Sequence, residues 1–340
     1  MMMNIVCLII FASITLISLS GCRYTHIPAD TRIEDSITRG IRYLIDNQND
    51  DGSISLSNDE TFKVWETGNT ILVIHTVNEG EEQFLKKATG YLLSVQRNDG
   101  SFSYSGEAIY CAETTAVCLL ALALNGENVS TGISFILNTQ SPNGSWEIGI
   151  PGIKDRFFPS ITGLELVTLM CLGIFNENVS SGIEYVQESQ LEDGSWGTSW
   201  EYYDTPYYAT YPNLLALKLY GLETSDSYKR AVRYIKQNQN QDGSWGRQIP
   251  DRPSKALRTS LALNSLLISP NNSDLSSVER GINWLIENQS DDGHWDGGYF
   301  VGFNLKKEDI YATNMAVLAL KRYLCFKNDE PLLCPNCGND

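Results

Sequence analysis

The sequence predicts an all-α protein, six helical hairpins closed into an α/α toroid with six inner and six outer helices. Three observations predict it. A glutamine recurs six times, at Gln48, Gln96, Gln140, Gln190, Gln239 and Gln289, in steps of 44 to 50 residues. Each is followed four positions later by a glycine and six positions later by a large apolar residue: Ile54, Phe102, Trp146, Trp196, Trp245 and Trp295. Stretches with one apolar stripe alternate with stretches that are apolar almost all round, such as Thr115–Leu124. A fixed period of this size marks a repeat architecture, and six in-phase units favour one closed domain.

Within each unit, the stretch before the glutamine reads as an outer helix. Pairs such as Ile41/Leu44, Ile133/Ile136 and Ile282/Leu285 make one buried stripe, leaving Arg42, Lys236 and Glu287 to solvent. Eight positions before the glutamine the residue is always small (Gly40, Ala88, Gly132, Gly182, Ala231, Gly281), and five before it is always aromatic. The Asp/Asn-Gly pair then ends the helix, because glycine takes positive φ without steric cost. The amide of the glutamine can bond backbone of that turn while the tryptophan lies over it, so the motif staples one hairpin to the next. Thr115–Leu124, Leu214–Leu219 and Met315–Leu320 read as inner helices, buried on every side.

The ends of the chain read differently. Residues 1–22 form a targeting segment, whose apolar run Ile5 to Leu19 is short for a membrane span. Its ending, Leu19-Ser20-Gly21-Cys22, resembles the lipobox of prokaryotic lipoproteins. That resemblance implies acylation of Cys22 and an extracytoplasmic protein held to the membrane through a lipid anchor; an ordinary signal peptide is the alternative. Residues 23–34 read as a polar tether, 35–325 as the toroid and 326–340 as a cysteine-containing tail. Cys111, Cys118 and Cys171 sit in apolar helical runs as buried thiols. Cys325, Cys334 and Cys337 could clamp the tail by a disulfide or form part of a zinc knuckle, which would still want a fourth ligand. A net charge of −16 excludes a basic surface for nucleic acid.

The repeated Gln-x-x-(Asp/Asn)-Gly-x-Trp element resembles the signature shared by class II terpene cyclases, such as squalene–hopene cyclase, and the β-subunits of protein prenyltransferases. The likeness runs over residues 35–325. It implies an apolar central cavity and a hydrophobic small-molecule ligand, an isoprenoid or another lipid. In such a toroid the loops before the inner helices line one mouth of the cavity. The polar candidates there are Glu66, Glu113, Glu165, Asp204, Arg258 and Asn314. Helix N-termini favour carboxylates, so such a ring is partly a capping effect.

The fourth loop carries the densest cluster, with Trp200, Tyr202, Tyr203, Tyr207, Tyr208 and Tyr211 around Glu201 and Asp204. In the cyclases this place holds Asp-x-Asp-Asp-Thr, whose middle aspartate protonates the polyene. Here the stretch reads Glu201-Tyr202-Tyr203-Asp204-Thr205, which puts Tyr203 at the protonating position, and a phenol is too weak an acid for an alkene. Asp204, Glu201 and Glu113 are the remaining candidate acids. Trp200, Tyr203, Tyr207, Tyr208, Tyr211 and Tyr311 are candidate ligand contacts or a plug that excludes water. The prenyltransferase zinc pair, an aspartate and a cysteine two residues apart, corresponds to Asp309 and Tyr311, so the thiolate is missing. No metal and no cofactor is expected. Three functions remain: an isoprenoid-active cyclase-like enzyme, a non-catalytic binding or scaffold protein of the cell envelope, and a glycan hydrolase using Glu113 with Asp204.

Overall fold

The computed structural model describes residues 31–56, 62–77, 80–104, 110–149, 158–197, 205–246, 254–270, 274–300, 306–307 and 309–328. The chain divides into two compact units, Met1–Thr31 and Arg32–Asp340, and apart from Thr31 the described residues all lie in the second. The outer helices are α1 (Thr31–Asp46), α3 (Glu82–Val95), α5 (Ser130–Thr139), α7 (Glu177–Glu188), α9 (Asp226–Gln237) and α11 (Leu275–Glu287). Between them run the inner helices α2 (Lys63–Val77), α4 (Ala112–Leu124), α6 (Pro159–Cys171), α8 (Pro206–Leu219), α10 (Lys255–Leu266) and α12 (Asp309–Lys327). A small antiparallel ribbon, β1 (Tyr299–Phe300) with β2 (Lys306–Lys307), precedes α12.

Each inner helix packs on the next, and α12 packs back on α2, so the inner ring is closed. The two rings differ in how much of each helix is covered. In α9 only Ser227, Tyr228, Ala231 and Ile235 are buried, whereas in α4 every residue from Ala112 to Leu122 is.

Two sets of hydrogen bonds tie each motif to the helices around it. The indole N–H donates back to the outer helix of its own unit, Trp146 to the Ile136 carbonyl and Trp245 to that of Ile235 (2.8 and 2.7 Å). The glutamine Nε2 donates to its own glycine carbonyl and to a carbonyl in the next outer helix, as Gln239 does with Gly243 and Ser277 (2.9 and 2.8 Å). At the seam Gln289 Nε2 donates to the Ser36 carbonyl of α1 (2.9 Å), and Arg39 donates to Gln289 Oε1.

At Gly40, Gly182 and Gly281 the small residue makes room for the preceding tryptophan. A Cβ on Gly281 would stand 2.8 Å from Trp245 Cζ3. A third recurring feature is a threonine in the second turn of the inner helices. It takes the backbone N–H of the apolar motif residue: Thr67 from Ile54, Thr115 from Phe102, Thr259 from Trp245 and Thr313 from Trp295 (2.9 to 3.1 Å).

Three expectations change. Helix α1 begins at Thr31, within the stretch read as tether, because Ile33 already joins the buried stripe. Glu165 and Asn314 are not mouth residues; α6 and α12 start earlier than their apolar runs suggest, which puts both in the second turn, inside the helical wall. There Asn314 donates to Thr70 Oγ1 of α2 at 2.9 Å. Tyr207 packs toward the outer ring, its ring centroid 6.2 Å from that of Tyr234 in α9.

Candidate functional site

Counted from the recurring threonine position (Thr67, Thr115, Thr162, Thr210, Thr259, Thr313), inner-helix residues at −2, +2, +5 and +9 fall on one face. That is the i, i+4, i+7, i+11 stripe of a helix, here turned to the axis of the ring. The stripes of five helices enclose a cavity of about 110 Å³. Its −2 layer is aromatic: Trp65 and Tyr311 have ring centroids 4.4 Å apart, and Tyr208 and Tyr311 5.9 Å. Next come Asn69, Val117, Leu164, Pro212 and Met315, then Leu72, Leu120, Val167, Leu215 and Leu318. Thr76, Cys171 and Arg322 form the +9 layer toward the C-terminal ends of the inner helices. Helix α10 contributes no wall residue; its +5 residue, Asn264, instead accepts hydrogen bonds from Arg322.

Of the sequence-derived ligand contacts, Tyr208, Tyr211 and Tyr311 line this cavity. Tyr207 does not, and burial pushes its phenol far above the usual range. Trp200, Glu201, Tyr203 and Asp204 lie outside the described residues, as do Cys22, Cys334 and Cys337. Glu113 is buried and holds in α4 the −2 position that Trp65, Tyr208 and Tyr311 hold in their helices. It therefore shares the aromatic layer, although no carboxylate is among the residues lining the cavity.

Burial sets the chemistry of the other groups. Glu165 makes no hydrogen bond among the described residues, and desolvation lifts its carboxyl well above the ordinary carboxylate range. Burial likewise pushes the Cys171 thiol up to about 12, and with help from the charge of Glu113 it does the same to Cys111. Neither thiol is a nucleophile at neutral pH. The Cys118 thiol spends its donor on the Val64 carbonyl of α2, and Cys325 is buried in α12. A prenyltransferase-type zinc does not fit, because Asp309 Oδ1 already accepts from the Gly297 N–H (2.9 Å) and Tyr311 packs against Trp65. No described helix is long and apolar enough to cross a membrane.

Sequence reasoning missed the threonine register and Arg322. The first was visible as a threonine 13 to 18 residues after each large apolar motif residue. The second carried no motif.

The chain was compared with known families and structures. Residues 160–325 match the model of the squalene-hopene cyclase C-terminal domain, and residues 6–152 that of the prenyltransferase alpha-alpha toroid domain. No curated protein matches the chain. The type II terpene cyclase MstE from Scytonema, solved with its substrate geranylgeranyl dihydroxybenzoate, aligns at TM-score 0.72 and 17% identity over 89% of this chain and 98% of that one. A protein from Actinoplanes aligns at 0.69 and 16%, covering 86% and 99%. A possible member of the GH105 family from Salmonella enterica aligns at 0.66 and 14%, covering 90% and 97%. At these identities the structures share the fold alone. The family-model matches and the solved structures agree on one fold, an α/α toroid.

Proposed function

We propose that the hollow of this toroid binds an apolar, isoprenoid-type molecule, and that the chain holds such a ligand at the cell envelope rather than cyclising it by protonation. The observation that carries this reading is the lining: aromatic rings at one end, aliphatic side chains along the wall, and no carboxylic acid among the described residues that form it. Alkene protonation needs a neutral, activated acid pointed at the double bond. Tyr203 stands where the cyclase pattern has that acid. The geranylgeranyl substrate of MstE supports the choice of ligand class. The lipobox-like Leu19-Ser20-Gly21-Cys22 supports the envelope placement, with Cys22 as the acylated residue.

The test is direct binding of geraniol, a short isoprenoid alcohol, to the purified full chain, followed by quenching of Trp65, which lines the hollow. Saturable quenching is expected, and Leu120→Trp, which fills the +5 layer of the wall, should weaken it by at least about tenfold. Unsaturable quenching, or an affinity that Leu120→Trp leaves unchanged, would remove the hollow as the site. A second reading, catalysis, rests on the place of Glu113 in the aromatic layer. Turnover of a linear polyene that disappears in Glu113→Gln would establish it against the binding reading.

A further inference from the structure

We propose that the hollow takes an amphiphile with an anionic head, a carboxylate or a phosphate monoester, seated on the Arg322 guanidinium with its tail toward the Trp65–Tyr208–Tyr311 layer. The inference rests on the hollow being a ligand site and adds the polarity and direction of what enters it.

Arg322 lines the cavity from the fourth turn of α12 and is only 9% exposed. Its Nη1 donates to the backbone oxygen and to Oδ1 of Asn264 (3.3 and 3.2 Å), and its guanidinium carbon lies 5.3 Å from the centroid of the Tyr211 ring. Asn264 is itself fixed, because its Nδ2 donates to the Ser260 and Met315 carbonyls (2.9 and 2.8 Å). The head of Arg322 is thus held in place by a clamped amide on one side and an aromatic face on the other.

What holds it does not neutralise it. Among the described residues no carboxylate pairs with Arg322, in a chain whose formal net charge is −16. The Asn264 carbonyl belongs to the last turn of α10, and a helix C-terminus supplies only about half a negative charge. A buried charge is costly unless paired, and guanidinium offers five N–H donors in a fork that matches carboxylate and phosphate oxygens. Among the described residues only one of its nitrogens is engaged, by Asn264.

The layers above give the length of the tail. From the −2 layer to the +5 layer, where Asn264 holds the guanidinium, is 7 residues of helix, about 10 Å at 1.5 Å per residue, or roughly eight carbons of extended chain. Along that path the lining is mostly aliphatic and aromatic.

The test varies the head at constant tail: 1-octanol, octanoic acid and octyl phosphate are titrated into the full chain, with geraniol alongside. We expect the acid or the phosphate to bind at least about tenfold more tightly than the alcohol, and whichever binds better names the head. In Arg322→Met the advantage should vanish, the acid and the phosphate binding no better than the alcohol; Arg322→Lys should keep part of it. Equal binding of all three heads by the unaltered protein, or an advantage that survives Arg322→Met, overturns the proposal. If geraniol still binds in that case, the hollow remains a ligand site. If nothing binds, both readings fall together. The comparison of heads on the unaltered protein decides the matter even if the variants fold poorly.

Discussion

At Gly293 the backbone takes φ +98°, and a Cβ there would stand 2.3 Å from the Arg39 carbonyl oxygen of α1. Gly126 has a similar φ of +80°, but nothing lies within 4 Å of where its Cβ would be. The two separate conformational strain from collision. Gly126→Ala should cost about 1–2 kcal/mol, the price of the left-handed region alone, and Gly293→Ala about 3 kcal/mol or more, because backbone must also move. Chemical denaturation of the two variants measures the difference. Glu165 is a residue of another kind, since the fold prefers its neutral form. Its folded pKa is raised above the ordinary 4.5, so its contribution is intact below that value and is lost as pH climbs toward the folded pKa. Glu165→Gln should therefore raise Tm at pH 7 and flatten the decline of Tm above pH 4.5. A variant no more stable than the parent at pH 7 would contradict the burial argument. Much of this scale was legible in sequence. The small residues at Gly40, Gly182 and Gly281 recur because a tryptophan presses on each. Arg322 was not legible, because a lone cation becomes informative only when its surroundings are known.

Between helix and helix, the useful unit is the motif with its threonine. Trp245 is fully buried and tied at two points, by its indole N–H to Ile235 and by its backbone N–H to Thr259. Thr259→Val keeps the shape but strands a buried N–H, and should cost about 1–3 kcal/mol. Trp245→Ala removes the ring as well and should cost about 3–5 kcal/mol. Thermal melts of both variants give the order. The outer helices and their ends were readable from one apolar stripe and a terminating Asp-Gly. The starts of the inner helices were not, because loop residues before them are also apolar and nothing in composition separates Phe158 from the helix that follows. That one-turn ambiguity is what moved Glu165 from the mouth to the wall. It also hid the cavity layers, whose register depends on where each helix begins.

For the whole molecule, two sets of carboxyl groups pull the stability profile in opposite directions. In the motif turns Asp51, Asp99, Asp242 and Asp292 are held below the ordinary 3.8. Burial works against each, but bonds to the serine or histidine two residues on, with basic partners, outweigh it, and Asp242 is brought to about 2 by Lys255 and Ser244. Their contribution is complete above pH 3.8 and is lost as pH falls through the folded values. Glu165 acts in the other window, above 4.5, and the net charge of −16 adds repulsion there. The maximum of Tm is expected near pH 4–5, on the acid side of the usual range. A maximum at pH 7 or above would show that neither set governs.

The clasp from Gln289 to Ser36 and Arg39 closes the circle without a covalent bond. A ring fastened this way presents no loose end while shut. Sprung open by heat, it bares two complementary edges, and each fits the other edge of any neighbouring copy as well as its own. Concentrated samples warmed toward melting should thus concatenate head to tail, and dilution before cooling should return single rings.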